Sequence, residues 1–327
     1  DFYWNNSRLA LSCSVGIRML DKTAGTPQQV HAQADTACFA AKHDGRSRVH
    51  LYRPDDEELR RHEREMAFVN KIHAALAEDR LEVYAQPIVS VSSKLREKLY
   101  FEVLVRMRDR EGNYVAPGLF IPAAERYNMA HLIDKRVIEK TLGWFERNPE
   151  YVNEIAMISI NLSGRSMSDE GFIAFLLDAL NSSNVPSSSI CLEITETAAI
   201  GNLTDAIELF TKLKQLGCTI ALDDFGSGLS SFGYLKRLPV DIIKIDGQFV
   251  RDIAEDDTDY AMVRAIHELA TQMGKKTVAE FVENEAILTR LKSLGVDYAQ
   301  GYHFSMPKPM ELLIKSEYLQ RSLEAQE

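Results

Sequence analysis

From Leu81 onward the chain repeats one rhythm: short runs of Ile, Val and Leu, each followed by a longer stretch with helical spacing. The runs lie at 81–91, 99–107, 155–163, 189–197, 218–226, 240–249, 276–284 and 296–304. Helix-patterned segments fill most of the gaps, among them Asp134 to Arg147, Thr204 to Leu216, Tyr260 to Met273 and Asn284 to Leu294. Strands that alternate with helices imply crossover connections and a mostly parallel sheet. Eight such units over about 240 residues fit a closed (β/α)8 barrel. An open doubly wound sheet is the competing arrangement, but no G-x-G-x-x-G follows any run.

Upstream the pattern differs. Residues 1–53 read as a strand from Leu9 to Ile17, a loop through Gly25 and Pro27, a helix from Val30 to Lys42 and a short strand from Val49 to Tyr52. So short a segment cannot bury a convincing core alone. Pro54 breaks the chain, and Asp55 to Asp79 is helix-patterned, with acids at its start that suit the helix dipole. Leu59, Met66, Val69, Ile72 and Leu76 form its apolar stripe. The expected division is 1–53, a linker helix over 54–80, and a barrel over 81–327. Asp1 in first position, with no charged-then-apolar leader behind it, reads as the cut end of a longer chain.

The net charge of −10 argues against DNA or RNA polymers as partners, because their backbones are gripped by basic patches. It leaves room for a small phosphate ester if cations invert the local charge. No apolar run reaches the roughly 20 residues of a membrane-spanning helix, so no membrane contact is expected from this segment. Cys13, Cys38, Cys191 and Cys218 form no C-x-x-C pair and read as buried reduced thiols of a cytoplasmic protein.

The informative feature is where polar residues interrupt the apolar runs. Glu102 closes YFE, Asn161 closes ISIN, Glu193 closes ICLE, and Asp223 and Asp224 close IALDD. Lys244 closes DIIK, Glu280 closes TVAE and Gln300 closes DYAQ. Any one of these has an ordinary explanation: a helix cap for Asn161, turn chemistry for Asp223-Asp224, a surface charge for a glutamate. Lys244 inside an apolar run is harder to dismiss, since a buried lysine demands partners. In a parallel barrel all these tips open on one face, where active sites of this fold sit. Clustered carboxylates repel, and cations relieve them. Oxygen-only donors suit Mg²⁺ or Mn²⁺ rather than zinc or copper. Adjacent Asp223 and Asp224 would let one carboxylate bridge two ions about 4 Å apart. His303, near Gln300, reads as a packing or surface imidazole.

The motifs QPIV (Gln86 to Val89), FEVLVR (Phe101 to Arg106), NLS (Asn161 to Ser163), EITE (Glu193 to Glu196), DDFGSG (Asp223 to Gly228), LPVDIIKID (Leu238 to Asp246), AEFVEN (Ala279 to Asn284) and QGY (Gln300 to Tyr302) resemble, in order, those of the EAL-domain family. The resemblance implies a modified (β/α)8 TIM-type barrel, often a homodimer, that hydrolyses cyclic di-GMP to linear pGpG with two Mg²⁺ or Mn²⁺ ions. It implies that Glu102, Asn161, Glu193 and Asp223 hold one metal, and that Asp223 and Asp224 help hold the second. Lys244 is then the residue that positions or polarises water, Glu280 a general base or aid to the second metal, and Gln300 an orienting group. Glu196 steadies the loop after Asp224, while Gln86, Leu104 and Arg106 contact substrate. Three positions depart from the pattern: Val103 for the usual Ala, Met107 where many members carry Trp, and Phe281 for a common Gly beside Glu280.

LSCSVGI (Leu11 to Ile17) and ADTACFAAKHDGRSRVHLY (Ala34 to Tyr52) resemble the closing third of a GGDEF, diguanylate-cyclase-type domain, an α+β remnant without the signature loop. A catalytically silent receptor that signals by binding cyclic di-GMP is the alternative function. Silent members typically lose metal ligands, and here all the expected ones are present. A metal-dependent barrel enzyme acting on a small carbon acid fits the carboxylates but leaves the ordered motifs unexplained.

Overall fold

Between the first two apolar runs of the barrel, Pro87 and Leu99 are separated by too few residues for a helical crossover, which needs a dozen or more. The computed structural model accordingly pairs them antiparallel. It describes residues 2–4, 7–9, 12–20, 25–43, 47–53, 68–92, 98–227 and 233–324. The chain divides into two compact units, Asp1–Ala74 and Ala75–Glu327.

In the first unit Phe2–Trp4 pairs antiparallel with Ser7–Leu9, and Val15–Ile17 pairs parallel with Val49–Leu51. The helix Pro27–His43 connects the parallel pair. It lies so close to Gly16 that a Cβ there would meet Ala34 O and Cys38 N at 2.1 Å. The single strand expected from Leu9 to Ile17 is thus two short strands. Cys13 falls between them and is exposed, a correction to its reading as a buried thiol. Cys38 is half-buried, Cys191 and Cys218 are buried, and all four are free. Residues 68–77 are helical, with Ile72 and Ala75 fully buried, and the helix expected to run on to 80 ends there in a turn at 78–79; residues 54–67 of the expected linker helix, including Leu59 and Met66, lie outside the described residues.

The second unit is a curled sheet with the strand order of its sequence: β1 (Leu81–Pro87), β2 (Leu99–Arg108), β3 (Ile155–Asn161), β4 (Ile190–Thr195), β5 (Thr219–Phe225), β6 (Ile242–Ile245), β7 (Lys276–Ala279) and β8 (Tyr298–Ala299). From β2 to β8 every pairing is parallel. β1 runs the other way. The eight-strand parallel barrel expected from the rhythm is therefore modified at its first strand. β8 pairs antiparallel with Val89–Ser90, the continuation of β1, which brings the two ends of the sheet together. This sequential order rules out a doubly wound sheet, whose order reverses at a switch point.

Helices Ala130–Arg147, Glu170–Ser182, Leu203–Gln215, Asp257–Gln272 and Glu285–Leu294 cover the outside. Their starts are fixed by side chains: Asp169 accepts from Phe172 N, Asp256 from Thr258 N, and Asn284 from Ile287 N. No helix among the described residues is long and apolar enough to cross a membrane.

Inside the barrel, one layer is apolar. Ile88, Tyr100, Cys191, Ala221, Ile242 and Val278 form a buried cluster, with Met157 and Tyr298 packed against it. Each strand of the sheet contributes to this floor, except that β1 does so through Ile88, just beyond its end. Side chains two apart on a strand share a face, so the next inward positions are set by arithmetic: Gln86, Glu102, Ser159, Glu193, Asp223, Lys244, Glu280 and Gln300. Asn161 lies one step above Ser159. On β1 the step runs backward, from 88 to 86, because that strand is antiparallel.

Candidate active site

The residues one step above the floor include Glu102, Glu193, Asp223, Lys244, Glu280 and Gln300, polar positions singled out in the sequence; Ser159 joins them, while Asn161 lies a step higher and Asp224 at the rim. Glu102 and Glu193 are buried, as are Asp223, Lys244 and Gln300. Glu102 does not close its strand, contrary to the reading of YFE. It is the fourth residue of a ten-residue strand whose upper part continues the inner wall through Leu104 and Arg106.

Lys244 is the hub. Its Nζ lies 2.7 Å from Glu193 Oε2, 2.9 Å from Glu280 Oε1, 3.1 Å from Asp223 Oδ1 and 3.5 Å from Glu102 Oε2. Burial alone opposes the charge on this lysine. The surrounding carboxylates of Asp223, Glu102, Glu193 and Glu280 outweigh it and hold the ammonium well above its ordinary pKa. Burial pushes the Glu193 carboxyl up to about 8 even though Lys244 pulls it down. Glu280 is likewise raised by burial against the pull of Lys244. Asp224, at the exposed rim, is raised to about 6 by desolvation and by the charge of Asp223 beside it.

Amides tie the cup together. Asn161 Nδ2 donates to Glu102 Oε1 at 2.5 Å, and Gln300 Nε2 donates to Glu102 Oε2 at 2.7 Å and to Gln86 Oε1 at 3.2 Å. Gln86 Nε2 in turn donates to the Ser305 carbonyl at 3.0 Å. One cation faces four carboxylates, so the cup keeps surplus negative charge.

Two buried carboxylate oxygens, Glu193 Oε1 and Asp223 Oδ1, receive no hydrogen bond. Asp223 Oδ1 is near Lys244, but outside hydrogen-bonding geometry. Asp223, Asp224 and Glu280 each offer one oxygen, all within 4.8 Å of one another. Orphaned buried acceptors beside a compact oxygen-only set fit a hard divalent cation. The backbone turns sharply here too: Asp224 and Phe281 have positive φ, 53° and 54°, a conformation that costs a non-glycine residue about 1 kcal/mol or more.

Glu196 is not in the cup. It opens the helix Glu196–Gly201, is fully buried, and accepts from Gly226 N at 2.9 Å and from the Tyr234 hydroxyl. It thereby anchors both sides of the segment that follows Asp224. His303 also stays outside, with Nε2 3.2 Å from Glu285.

Above the cup opens a cavity of about 460 Å³. Leu104 and Arg106 line it, and the Arg106 guanidinium lies 5.5 Å from the Tyr84 ring centroid. The sequence reading missed Arg251 and Tyr302 on the same wall. It also missed Asp134, whose carboxylate accepts from Ser163 N at 2.8 Å and Ser166 Oγ at 2.6 Å and so pins the loop behind Asn161. Its place on the helix before β3 gave no sign of that loop contact; only a polar residue on a covered helix face hinted at it.

Residues 69–307 match the model of the EAL domain. The chain belongs to the EAL domain family. It is 40% identical over 307 residues to the cyclic di-GMP phosphodiesterase PdeB of Shewanella oneidensis, covering 93% of this chain and 35% of that protein. It is 35% identical over 245 residues to PdeF of Escherichia coli, also named a cyclic di-GMP phosphodiesterase, covering 75% of this chain and 32% of that one. The chain thus spans about a third of the length of these curated relatives. Among solved structures, the PaMucR phosphodiesterase in complex with c-di-GMP superposes with a TM-score of 0.69 at 30% identity, covering 76% of this chain and 99% of that one. The FimX EAL domain of Pseudomonas aeruginosa bound to c-di-GMP gives 0.67 at 28%, covering 74% and 96%.

Proposed function

We propose that this chain hydrolyses cyclic di-GMP to linear pGpG. The observation that carries the reading is the interior polar ring centred on Lys244, with its surplus of carboxylates and its two orphaned acceptors. The relatives named for this activity, and the neighbours that hold c-di-GMP, support the same substrate.

The donor set suits two Mg²⁺ or Mn²⁺ ions, Glu102, Asn161, Glu193 and Asp223 holding one, and Asp223 with Asp224 the other. Such ions, when bound, neutralise the phosphate and make water more acidic. The protein's own residues then position and balance charge. Arg106 offers a planar fork to a phosphate from the cavity wall, beside Gln86 and Leu104. Lys244 keeps its proton, because its carboxylate neighbours favour the ammonium, and donates a hydrogen bond that orients the attacking water. Glu280, 2.9 Å from Lys244, would serve as general base toward that water or assist the second metal. Gln300 fixes the Glu102 carboxylate through its amide and orients the ligand. Glu196 holds the loop after Asp224 in place.

Residues 1–53 belong, on this reading, to the closing part of a GGDEF-type domain, 54–80 to a linker helix and 81–327 to the barrel. The strand–helix–strand unit of Val15–Leu51 supports the first assignment. The barrel forms a homodimer, as the family resemblance implies, and works in the cytoplasm, in keeping with its free thiols.

The test is turnover of cyclic di-GMP, followed by chromatography of pGpG, with Mg²⁺, with Mn²⁺ and with EDTA. Either metal is expected to give product and EDTA none. Glu102→Ala is expected to lower kcat by at least about 100-fold. Tight binding without product under both metals would establish the receptor reading instead.

A further inference from the structure

The cavity that Arg106 lines carries a second arginine whose setting is unusual. Arg251 follows the short helix Gly247–Val250, is exposed, and lines the cavity. Its Cζ lies over the Phe281 ring, 4.2 Å from the centroid, within cation–π contact. Arg106 and Arg251 are the two cationic side chains among the cavity's lining residues.

Phe281 is held in this place at a cost. It is 47% exposed and has φ 54°, in the left-handed region that favours glycine. Its ring occupies space that only a glycine at 247 leaves free: a Cβ on Gly247 would come within 2.1 Å of the ring. A large apolar side chain in a strained backbone thus lines the cavity with about half of its surface exposed. Such strain at a cleft is the kind that persists where it serves a ligand. Arg251 and Phe281 together present a cation–aromatic pair to the cavity, with Phe281 next in sequence to Glu280.

We propose that Arg251, braced on Phe281, is a binding shelf on which a purine base of the dinucleotide substrate stacks. A guanidinium plane stacks on the face of a base, as aromatic rings do. Phe281 fixes the plane of the guanidinium, so less side-chain freedom is lost on binding. The idea rests on the proposed cyclic di-GMP reading for its ligand, but it concerns binding and not bond cleavage.

The experiment is isothermal titration of cyclic di-GMP into EDTA-treated chain, with KM from metal-supported turnover as a second measure. Arg251→Ala and Phe281→Gly are each expected to weaken binding by roughly 5- to 100-fold, the range for loss of one base stack. Arg251→Lys, which keeps the charge and loses the plane, is expected to resemble Arg251→Ala. The double variant is expected to be little weaker than either single, since the two side chains act as one unit. Unchanged affinity in Arg251→Ala, or full rescue by lysine, would overturn the shelf. A wild-type chain that binds but does not cleave would sink the catalytic reading and leave the shelf to stand on these ratios. One that neither binds nor cleaves would sink both.

Discussion

The floor and the cup of the barrel are built from the same strands, one inward step apart, and they are chemical opposites. Ile242 and Lys244 sit on β6, Ala221 and Asp223 on β5, Cys191 and Glu193 on β4, and Val278 on β7 with Glu280 just past its end. The floor gains stability from apolar area removed from water. The cup is enclosed to a similar degree yet holds four carboxylates against one ammonium. Burial of charge at this density works against folding unless partners compensate. The lesson is that this fold stabilises itself in one layer and leaves the adjacent layer in electrostatic debt to a ligand.

Substitutions in the two layers should therefore fail in different ways. The largest effect is expected for Lys244→Met. Removing the hub cation leaves its carboxylates uncompensated, and urea unfolding in EDTA should show a loss of roughly 3–5 kcal/mol together with loss of turnover. Added Mg²⁺ should recover part of the stability and none of the turnover; a variant as stable as wild type in EDTA would break the comparison. Next is Ile242→Ala in the floor. A loss of about 2–5 kcal/mol is expected for a buried large-to-small change. The activity of the molecules that remain folded should change far less than in Lys244→Met, so an equally inactive, fully folded Ile242→Ala protein would show that the floor shapes the chemistry directly.

The smallest expected effect is at Asp134, outside both layers. Burial raises its carboxyl to about 6 despite hydrogen bonds from Ser166 and Ser163. A carboxyl raised on folding favours the folded state most below its unfolded pKa of about 4, and that contribution is lost as pH rises past 6. Asp134→Asn should gain stability relative to wild type between pH 4 and 6.5, by on the order of 1 kcal/mol after allowance for its partial exposure. Urea midpoints across that range would check it; a constant difference would contradict the sign.

Much of this was legible from residue order alone, because period-two alternation is a local rule. Lys244, Asp223 and Glu193 stand out since each breaks an apolar run. Glu102 was read as a strand end because a run of inward and outward apolar residues hides where a strand stops. The reversal of β1 was available in the short gap between Pro87 and Leu99, and the repeating rhythm drew attention away from it. Asp134 and Arg251 were not legible. Their significance lies in contacts to Ser163 and Phe281, 29 and 30 positions away, and neither residue type is unusual where it stands.

The backward first strand also decides where the polypeptide comes in. Arg108 N–H donates to the Arg80 carbonyl at 3.0 Å, and Leu81 sits opposite Met107, near the top of β2. In an all-parallel barrel the chain would thread in from underneath, beyond the floor. Here it arrives at the lip, beside the wall that bears Arg106, so residues 75–81 reach the mouth without crossing the hydrophobic interior.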